Sequence, residues 1–349
     1  MTLLIKPGDR SDQVADVQAR LRALGYRIDD ETGSYEDSTT QAVREFQQRR
    51  SILVDGLVGP NTWGELVEAS WRLGDRSLYL TFPLMRGDDV LKLQQLLNAI
   101  GYDAGREDGI FGPNGGRAVR HFQREYGGTE DGIFGPVSHT ALLGLRVDRP
   151  GTAASLREEL LLAERADMTD SLIVIDPGHG GPDDGARGPN GARESELCWD
   201  ISVKVAEMLT HSGAKVRFTR TEVEGPTTSE RATRANDLHG DVFVSIHLNS
   251  LDESNAGGAS TYFFGGSRLG ERLADSIQHE LTGLGIKDCR SHARAYALFK
   301  ETQMPAVLVE PCFISNPEEE KMLEDPLLRG RVAEAVAAGV RRYYESKGR

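Results

Sequence analysis

Apolar residues in the N-terminal third of the chain recur at helical spacing. Val14, Val17, Leu21 and Leu24 follow one another at intervals of three or four, and the run ends at Gly25. This spacing places the four side chains on one face of a helix, and glycine commonly occupies the position just after a helix ends. The pattern therefore predicts an amphipathic helix that stops before Gly25.

The whole pattern occurs twice, because the chain matches itself without a gap at a shift of 76 positions, as from Gly25 to Gly101. A repeat of this length indicates a duplicated domain rather than a solenoid, whose repeats run about 20 to 50 residues. Each copy predicts three helices within about 65 residues, near the lower size limit for independent folding. Other matched pairs are Phe46-Gln47 with Phe122-Gln123, Asp55-Gly56 with Asp131-Gly132, and Gly59-Pro60 with Gly135-Pro136.

Beyond residue 171 the pattern changes, and short apolar runs alternate with amphipathic stretches. Such alternation predicts an α/β domain whose mostly parallel sheet is covered by helices on both faces. The expected strands lie at 172–175, 215–219, 241–246, 259–264 and 306–309, and the expected helices at 196–211, 229–238, 267–284 and 326–344.

These patterns divide the chain into four parts, with a Pro-Gly break near residue 150. Residues 1–70 and 78–146 are the two small helical domains, 147–170 a linker with a charged helix at 156–166, and 171–349 the α/β domain. We therefore expect a multidomain protein with its chemistry in the C-terminal half.

Composition narrows the class of protein. The 38% hydrophobic and 27% charged shares are typical of a globular protein, and no run approaches the roughly 18 apolar residues of a transmembrane helix. The net charge of -13 argues against a nucleic-acid partner, which requires a basic surface. The N-terminus lacks the features of a secretory signal, and three scattered cysteines suit a reducing compartment. As the sequence stands we expect a cytoplasmic protein; a removed leader or another export route would make it extracellular or cell-wall associated.

Candidate chemistry lies where three predicted strands end. His179 follows the run 173–176 and a Pro-Gly turn, His247 follows 242–246, and Glu310 follows 306–309. In open α/β sheets ligands bind at this edge. Two histidines and one glutamate are a common zinc-hydrolase ligand set, so His179, Glu194 and His247 predict a site for one Zn²⁺. Glu310 is then the candidate general base and acid.

Five ordered motifs in this half resemble the zinc-dependent N-acetylmuramoyl-L-alanine amidases. The resemblance covers about residues 171–345 and implies hydrolysis of the amide between the lactyl group of N-acetylmuramic acid and L-alanine of the stem peptide. It also implies metal ligation by His179, Glu194 and His247 and catalysis by Glu310. The motifs are Asp176-Pro177-Gly178-His179-Gly180-Gly181, Gly191-x-x-Glu194, Thr219-Arg220 with Arg231, Ser245-Ile246-His247-x-Asn249, and Pro305 to Glu310 with Phe313-x-Ser315-Asn316.

Glu196 competes with Glu194 for the ligand role. The motif places the ligand just ahead of the following helix, which favours Glu194. Glu196 is then an ordinary first-turn acid that is favoured by the helix dipole.

Four further residues are candidates for support or substrate binding. Asp176 and Asn249 are candidates to orient the ligands, since metal-bound histidines usually donate their second nitrogen to an acceptor. Arg220 and Arg231 are expected either to contact substrate carboxylates or to form salt bridges within the fold. His292 is expected to be structural or to lie on a loop beside the cleft.

The duplicated helical domains resemble the peptidoglycan-binding domains of bacterial cell-wall hydrolases. Nearly every matched residue is a core or turn residue, so the two copies predict either a binding groove for glycan or muropeptide, or a scaffold for protein docking. Trp63 and Trp71 are candidate sugar platforms, with simple packing as the alternative.

The expected location conflicts with a mature cell-wall substrate, because mature peptidoglycan lies outside the membrane. A leaderless arrangement of two such domains before an amidase domain resembles an actinobacterial group for which regulation of precursor synthesis is implied. The alternative function is therefore a cytoplasmic regulator that uses an amidase-like fold with little turnover and docks a cell-wall precursor enzyme. Peptidoglycan fragments or muropeptides are the expected ligands in both cases.

Overall fold

The computed structural model describes residues 4–126, 128–144, 168–251 and 255–345. The chain forms two compact units, residues 1–159 and 160–349, and each is considered by itself below. Most of the linker expected at 147–170, including its helix at 156–166, lies outside the described residues. Within the described ranges no helix is long and apolar enough to cross a membrane.

The first unit contains two three-helix modules, which confirms the expectation for this part of the fold. Each module has its own apolar core, one built around Leu21, Phe46 and Leu66 and the other around Leu97 and Phe122. The helices are α1 (Asp12–Ala23), α2 (Asp37–Arg49), α3 (Pro60–Ala69), α4 (Asp88–Ala99), α5 (Pro113–Glu125) and α6 (Pro136–Leu143).

A buried glutamine explains the repeated Phe-Gln and Asp-Gly motifs of the two modules. In the first module Gln47 Nε2 donates to Asp55 Oδ1 at 2.7 Å and to Thr62 Oγ1 at 3.0 Å, and Gln47 Oε1 accepts from the backbone N–H of Gly56. Gly56 has φ +76, a conformation that favours glycine. Gln123 makes the equivalent bonds in the second module. The motifs therefore encode a turn anchored to a helix.

The two modules contact each other through an arginine at the end of α2. Arg50 Nε donates to Glu65 in its own module at 2.7 Å, and Nη1 donates to both carboxylate oxygens of Asp88 at 2.9 and 3.0 Å. Asp88 is the first residue of α4. This shared ion pair links the last helix of one module to the first helix of the next.

The second unit is a six-stranded sheet in the order β2-β1-β3-β6-β4-β5. All neighbouring strands are parallel except β4 and β6, which confirms the expected mostly parallel sheet. The strands are β1 (Leu172–Pro177), β2 (Lys215–Phe218), β3 (Val242–Ile246), β4 (Ala259–Phe263), β5 (Asp288–Ala293) and β6 (Ala306–Glu310).

Helices cover both faces of this sheet. Ile173 and Ile175 pack into the larger core, beneath the helices at 194–211, 268–283 and 326–345. Val174 between them packs on the opposite face with the helices at 228–237 and 297–301. This alternation is the expected consequence of the strand repeat of two. The helices are α7 (Glu194–His211), α8 (Thr228–Asp237), α9 (Arg268–Gly283), α10 (Ala297–Glu301), α11 (Pro317–Glu324) and α12 (Pro326–Glu345).

Three elements of this unit were not expected from the sequence. The strand β5 has the polar sequence Asp-Cys-Arg-Ser-His-Ala and lies at the sheet edge beside β4, so neither an apolar run nor a clean alternation marks it. The helices α10 and α11 are short, with five and eight residues. Helices of this length depend mainly on their tertiary contacts.

Candidate metal centre

The sheet brings the expected residues to one edge. The strands β1, β3 and β6 are adjacent and parallel, with Asp176 opposite Ser245 and Ile246 opposite Val309. His179 and His247 therefore follow neighbouring strand ends, and Glu310 is the last residue of the next strand. Glu194 is the first residue of α7, which packs against β1.

The carboxylate of Glu194 lies between the two histidines. Its Oε2 is 3.1 Å from His179 Nε2, and its Oε1 is 3.1 Å from His247 Nδ1. One ligand atom from each residue falls within 4.8 Å of the others. Backbone N–H groups of Ala186 and Leu248 also donate to this carboxylate, at 2.9 and 3.0 Å, and fix its orientation.

The electrostatics of the cluster suit a cation. Burial acts to raise the pKa of Glu194, but hydrogen bonds with His179 and His247 outweigh it and hold the pKa well below its usual range. Burial acts to lower the pKa of His179, yet Glu194 and Asp183 outweigh it and raise the pKa. Two imidazole nitrogens and a carboxylate oxygen are a donor set that fits a divalent zinc ion and leaves a coordination position open.

Two glycines make the cluster sterically possible. A Cβ at Gly185, where φ is +69, would lie 2.6 Å from the His179 ring and 2.8 Å from Glu194 Oε2. A Cβ at Gly178 would lie 2.6 Å from His247 Nδ1. Since such distances are far below van der Waals contact, only glycine allows the three ligand side chains to converge here.

His179 itself has an unusual backbone, with φ +54, and its ring is fixed by a residue that the sequence analysis missed. Asp183 Oδ2 lies 2.8 Å from His179 Nδ1, which leaves Nε2 to face Glu194. This is the carboxylate–histidine arrangement that orients many metal ligands. Its only trace in the sequence is an acid four residues after the histidine, in a Gly/Pro-rich loop.

Arg220 and Arg231 hold the backbone of the loop that carries His179. Arg220 donates to the carbonyls of Pro177 at 2.9 Å and Gly178 at 3.0 Å, and Arg231 donates to those of Pro177 and His179. Both side chains are nearly buried, and Arg220 also stacks 5.3 Å from the Trp199 ring. They therefore serve the fold around the cluster rather than an open substrate surface.

Asp176 and Asn249 do not contact the histidine rings through hydrogen bonds in the described part of the chain. The Asp176 carboxylate accepts from Thr219, Arg231 and Ser245. Asn249 is held by its backbone, which donates to Cys312 at 2.9 Å and accepts from Ile314 at 2.8 Å.

Glu310 lies beside the cluster, and its side chain is partly buried. Its Oε2 is enclosed and has no hydrogen-bond partner among the described residues. Burial raises the pKa of Glu310 to about 7, although the neighbouring His247 and Tyr262 act in the opposite direction. A carboxyl group with this pKa exchanges protons readily near neutral pH.

Glu196, the competing candidate for the ligand role, does not join the cluster. Glu196 is exposed and pairs with Arg193, so the structure brings Glu194 and not Glu196 to the histidines. Cys312 is buried, and burial raises the pKa of its thiol to about 12, so the thiol stays protonated.

A second missed feature is the pair of acids at the start of α11. Glu320 is fully buried and accepts from the backbone N–H groups of Asn190 and Ala192, at 2.8 to 3.0 Å. Glu319 accepts from the backbone N–H groups of Gly258 and Phe313. These carboxylates anchor loops on two sides of the site, including the one that leads to Glu194.

The two candidate sugar platforms in the N-terminal modules are each covered on one face. The Arg20 guanidinium lies 5.3 Å from the Trp63 ring centroid, and that of Arg76 lies 4.2 Å from Trp71. Trp63 also packs against the core of its module. A sugar would have to use the remaining face of either ring.

Comparison with known proteins identifies both halves. Residues 173–342 match the family model described as N-acetylmuramoyl-L-alanine amidase, and residues 10–66 and 86–142 match that of the putative peptidoglycan binding domain. The chain is 38% identical to the N-acetylmuramoyl-L-alanine amidase CwlM of Mycobacterium tuberculosis, over 97% of this chain and 89% of that one.

Other relatives match about half of this chain. The N-acetylmuramoyl-L-alanine amidase LytC of Bacillus subtilis is 36% identical over 49% of this chain and 35% of its own. The crystal structure of an N-acetylmuramoyl-L-alanine amidase from Clostridium difficile 630 aligns with a TM-score of 0.50 and 30% identity, covering 52% of this chain and all of that one. These matches favour the hydrolase over the regulatory alternative. The chain belongs to the N-acetylmuramoyl-L-alanine amidase family and carries two peptidoglycan-binding domains ahead of the amidase domain.

Proposed function

We propose that this protein hydrolyses the amide bond between the lactyl group of N-acetylmuramic acid and L-alanine, with one zinc ion held by His179, Glu194 and His247. The observation that carries the proposal is the convergence of these three ligand atoms within 4.8 Å, beside the buried carboxyl group of Glu310. A bound zinc ion would polarise the substrate carbonyl and lower the pKa of a bound water.

The chain's own residues orient and protect this site. Asp183 holds the His179 ring, Gly178 and Gly185 give the ligands room to converge, and Arg220 and Arg231 hold the loop backbone. A site fixed in this way loses little free energy to reorganisation during the reaction.

Glu310 is the proposed proton carrier. Its carboxylate accepts a proton from the attacking water, whose oxygen forms the new bond to the lactyl carbonyl carbon. The same proton then passes to the alanine nitrogen as the carbon–nitrogen bond breaks, which releases the peptide with a free amino terminus. Burial favours this proton exchange, because it raises the pKa of Glu310 to about 7 in the metal-free protein.

The N-terminal modules are proposed to bind the glycan or peptide of the same polymer and to raise the local concentration of substrate for the amidase domain. This tethering requires no new contact in the site, since linked binding events act through effective concentration.

The proposed reaction is tested with the zinc-loaded full chain and a muramoyl peptide. Released peptide is measured through its new amino terminus. We expect turnover by the wild type and a loss of at least about 100-fold in Glu310→Gln, as for removal of a general base. The matched control is Glu196→Gln, an exposed acid whose replacement should leave turnover unchanged. Retained zinc with no turnover in the wild type would contradict the proposal and favour a regulatory protein.

The cytoplasmic location and a precursor-enzyme partner remain predictions from the sequence. Fractionation of cells tests the location. Co-purification of the full chain with a cell-wall precursor enzyme tests the partner. Recovery of the full chain without such an enzyme would contradict that prediction.

A further inference from the structure

A tyrosine-lined wall beside Glu310 carries one arginine. The rings of Tyr262 and Tyr296 lie 5.9 Å apart, and the guanidinium carbon of Arg294 lies 5.7 Å from the Tyr262 centroid. Ser260 pairs with Glu310 between β4 and β6, and its hydroxyl is 3.2 Å from that of Tyr262. The wall therefore stands next to the proposed catalytic carboxyl group.

Arg294 is held in place by backbone contacts and keeps donors to spare. Its backbone N–H donates to Phe263 at 2.8 Å, and its Nη1 donates to the carbonyl of Ala293 at 3.0 Å. Within the ranges that the structure describes, its guanidinium forms no ion pair with a carboxylate. A guanidinium has five N–H donors, so donors remain for a ligand beside the contacts with the Ala293 carbonyl and the Tyr296 hydroxyl.

The charge of this guanidinium reaches the catalytic site. Burial raises the pKa of Glu310 and of the Tyr296 hydroxyl, and the Arg294 guanidinium acts in the opposite direction on both. His292 plays a different part, since its ring lies 5.7 Å from Tyr262 and its Nε2 is 2.7 Å from the carbonyl of Cys289. His292 packs against the Tyr262 ring with its Nε2 at a backbone carbonyl, and Arg294 carries the guanidinium of the wall.

The proposed reaction determines which part of the substrate faces this wall. Glu310 hands its proton to the amine nitrogen of the leaving peptide, so groups beside Glu310 face the peptide rather than the sugar. We propose that Arg294 binds a carboxylate of the stem peptide close to the scissile amide, with Tyr262 and Tyr296 positioning the guanidinium. This inference rests on the proposed amidase function, because that reaction determines where the peptide lies. Planar guanidinium and carboxylate groups form paired hydrogen bonds that recognise this ligand class.

The test uses two muramoyl peptides that are identical except at the residue after L-alanine, whose α-carboxyl group is free in one and amidated in the other. Wild type, Arg294→Ala, Arg294→Lys and the control Arg290→Ala are compared as zinc-loaded full chains. Arg290 is an exposed arginine on β5, so its replacement removes the same charge away from the wall.

We expect Arg294→Ala to reduce kcat/KM for the free-acid peptide by about 10-fold or more, mainly through KM, as for the loss of a charge-assisted hydrogen bond. For the amidated peptide, kcat/KM of Arg294→Ala should differ from that of wild type by less than about 2-fold, because this peptide lacks the carboxylate that Arg294 would bind. Arg294→Lys should restore part of the activity, since lysine keeps the charge without the paired donors. An equal loss on both peptides would overturn the assignment.

A binding measurement separates this inference from the proposed function. Calorimetry with the two released peptides should show tighter binding of the free acid by wild type, and equal binding by Arg294→Ala. Equal binding of both peptides by wild type overturns the Arg294 subsite even where hydrolysis occurs. Failure to hydrolyse either muramoyl peptide overturns the amidase function, and the binding comparison still decides the subsite.

Discussion

Arg231 forms a buried ion pair with Asp176, with 2.9 Å between Nη1 and Oδ1. The side chains are 8% and 0% exposed, so both charges are removed from water. The same guanidinium donates to the carbonyl of His179, whose backbone has φ +54. The ion pair therefore joins the end of β1 to the unusual conformation of a candidate metal ligand.

Replacing Arg231 with methionine should lower the free energy of unfolding by about 3 to 5 kcal/mol, because it leaves the Asp176 carboxylate buried without its partner. Chemical denaturation of the metal-free protein measures the change. Arg217→Met, at an exposed position on β2, is the control and should shift stability by less than about 0.5 kcal/mol. Equal stability of Arg231→Met and wild type would show that the pair has no structural importance.

Zinc affinity should depend on the absence of a side chain at residue 185. Gly185→Ala places a methyl group 2.6 Å from the His179 ring, so the ligands must separate and we expect zinc affinity to fall by at least about 10-fold. Competition with a chelator measures this affinity. Gly191→Ala is a matched control, since Gly191 also has positive φ, at +98, but a Cβ there meets nothing within 4 Å. Similar losses in both variants would mean that backbone strain, and not crowding of the ligands, is responsible.

The metal-free protein should lose stability on raising the pH because Glu310 is buried. Its pKa is about 7 in the folded state, compared with 4.5 ordinarily, so the carboxyl group is neutral in both states at pH 4. As the pH rises from 4.5 to 7 the unfolded state ionises while the folded carboxyl group stays protonated, so stability falls by about 3 kcal/mol across this range and levels off above pH 7. The free energy of unfolding of Glu310→Gln should therefore gain about 3 kcal/mol relative to that of wild type between pH 4 and pH 8. A difference independent of pH would contradict the buried-carboxyl assignment.

In the N-terminal modules the buried glutamine should be essential. Gln47→Leu removes a side chain that bonds Asp55, Thr62 and the N–H of Gly56, and it leaves these groups without their partner. We expect a loss of about 2 kcal/mol or more in the stability of the first module. Gln48→Leu is the neighbouring exposed control. Thermal unfolding that is unchanged by Gln47→Leu would refute the role of this residue.

The sequence predicts this fold where local patterns coincide with tertiary contacts. The runs before His179 and His247 are apolar on both faces of the sheet, so their strands and the sheet edge that they share follow from pattern alone. The repeated Gln47 and Gln123 motifs likewise predict two equivalent modules. The polar strand β5 has no such pattern, because its structure depends on pairing with β4 at the sheet edge.

The supporting residues of the site were harder to predict than the ligands. Glu320 contacts Asn190, 130 positions earlier in the chain. It is one of several acids in the same helix, and nothing in the local sequence distinguishes it as the residue with such a partner. Asp183 is close to His179 in the chain, but its role depends on a loop conformation that positive-φ glycines create. Arg294 lies on a segment without a recognisable motif, and the pairing of β5 with β4 and of β4 with β6 brings it near Glu310.

The central claim is that one zinc ion binds at His179, Glu194 and His247, and metal analysis of the purified protein tests it most directly. Wild type and Glu196→Gln should each retain one zinc per chain after dialysis, whereas Glu194→Gln should lose it while keeping the wild-type circular dichroism spectrum. Full zinc content in Glu194→Gln, or none in the wild type, would contradict the account.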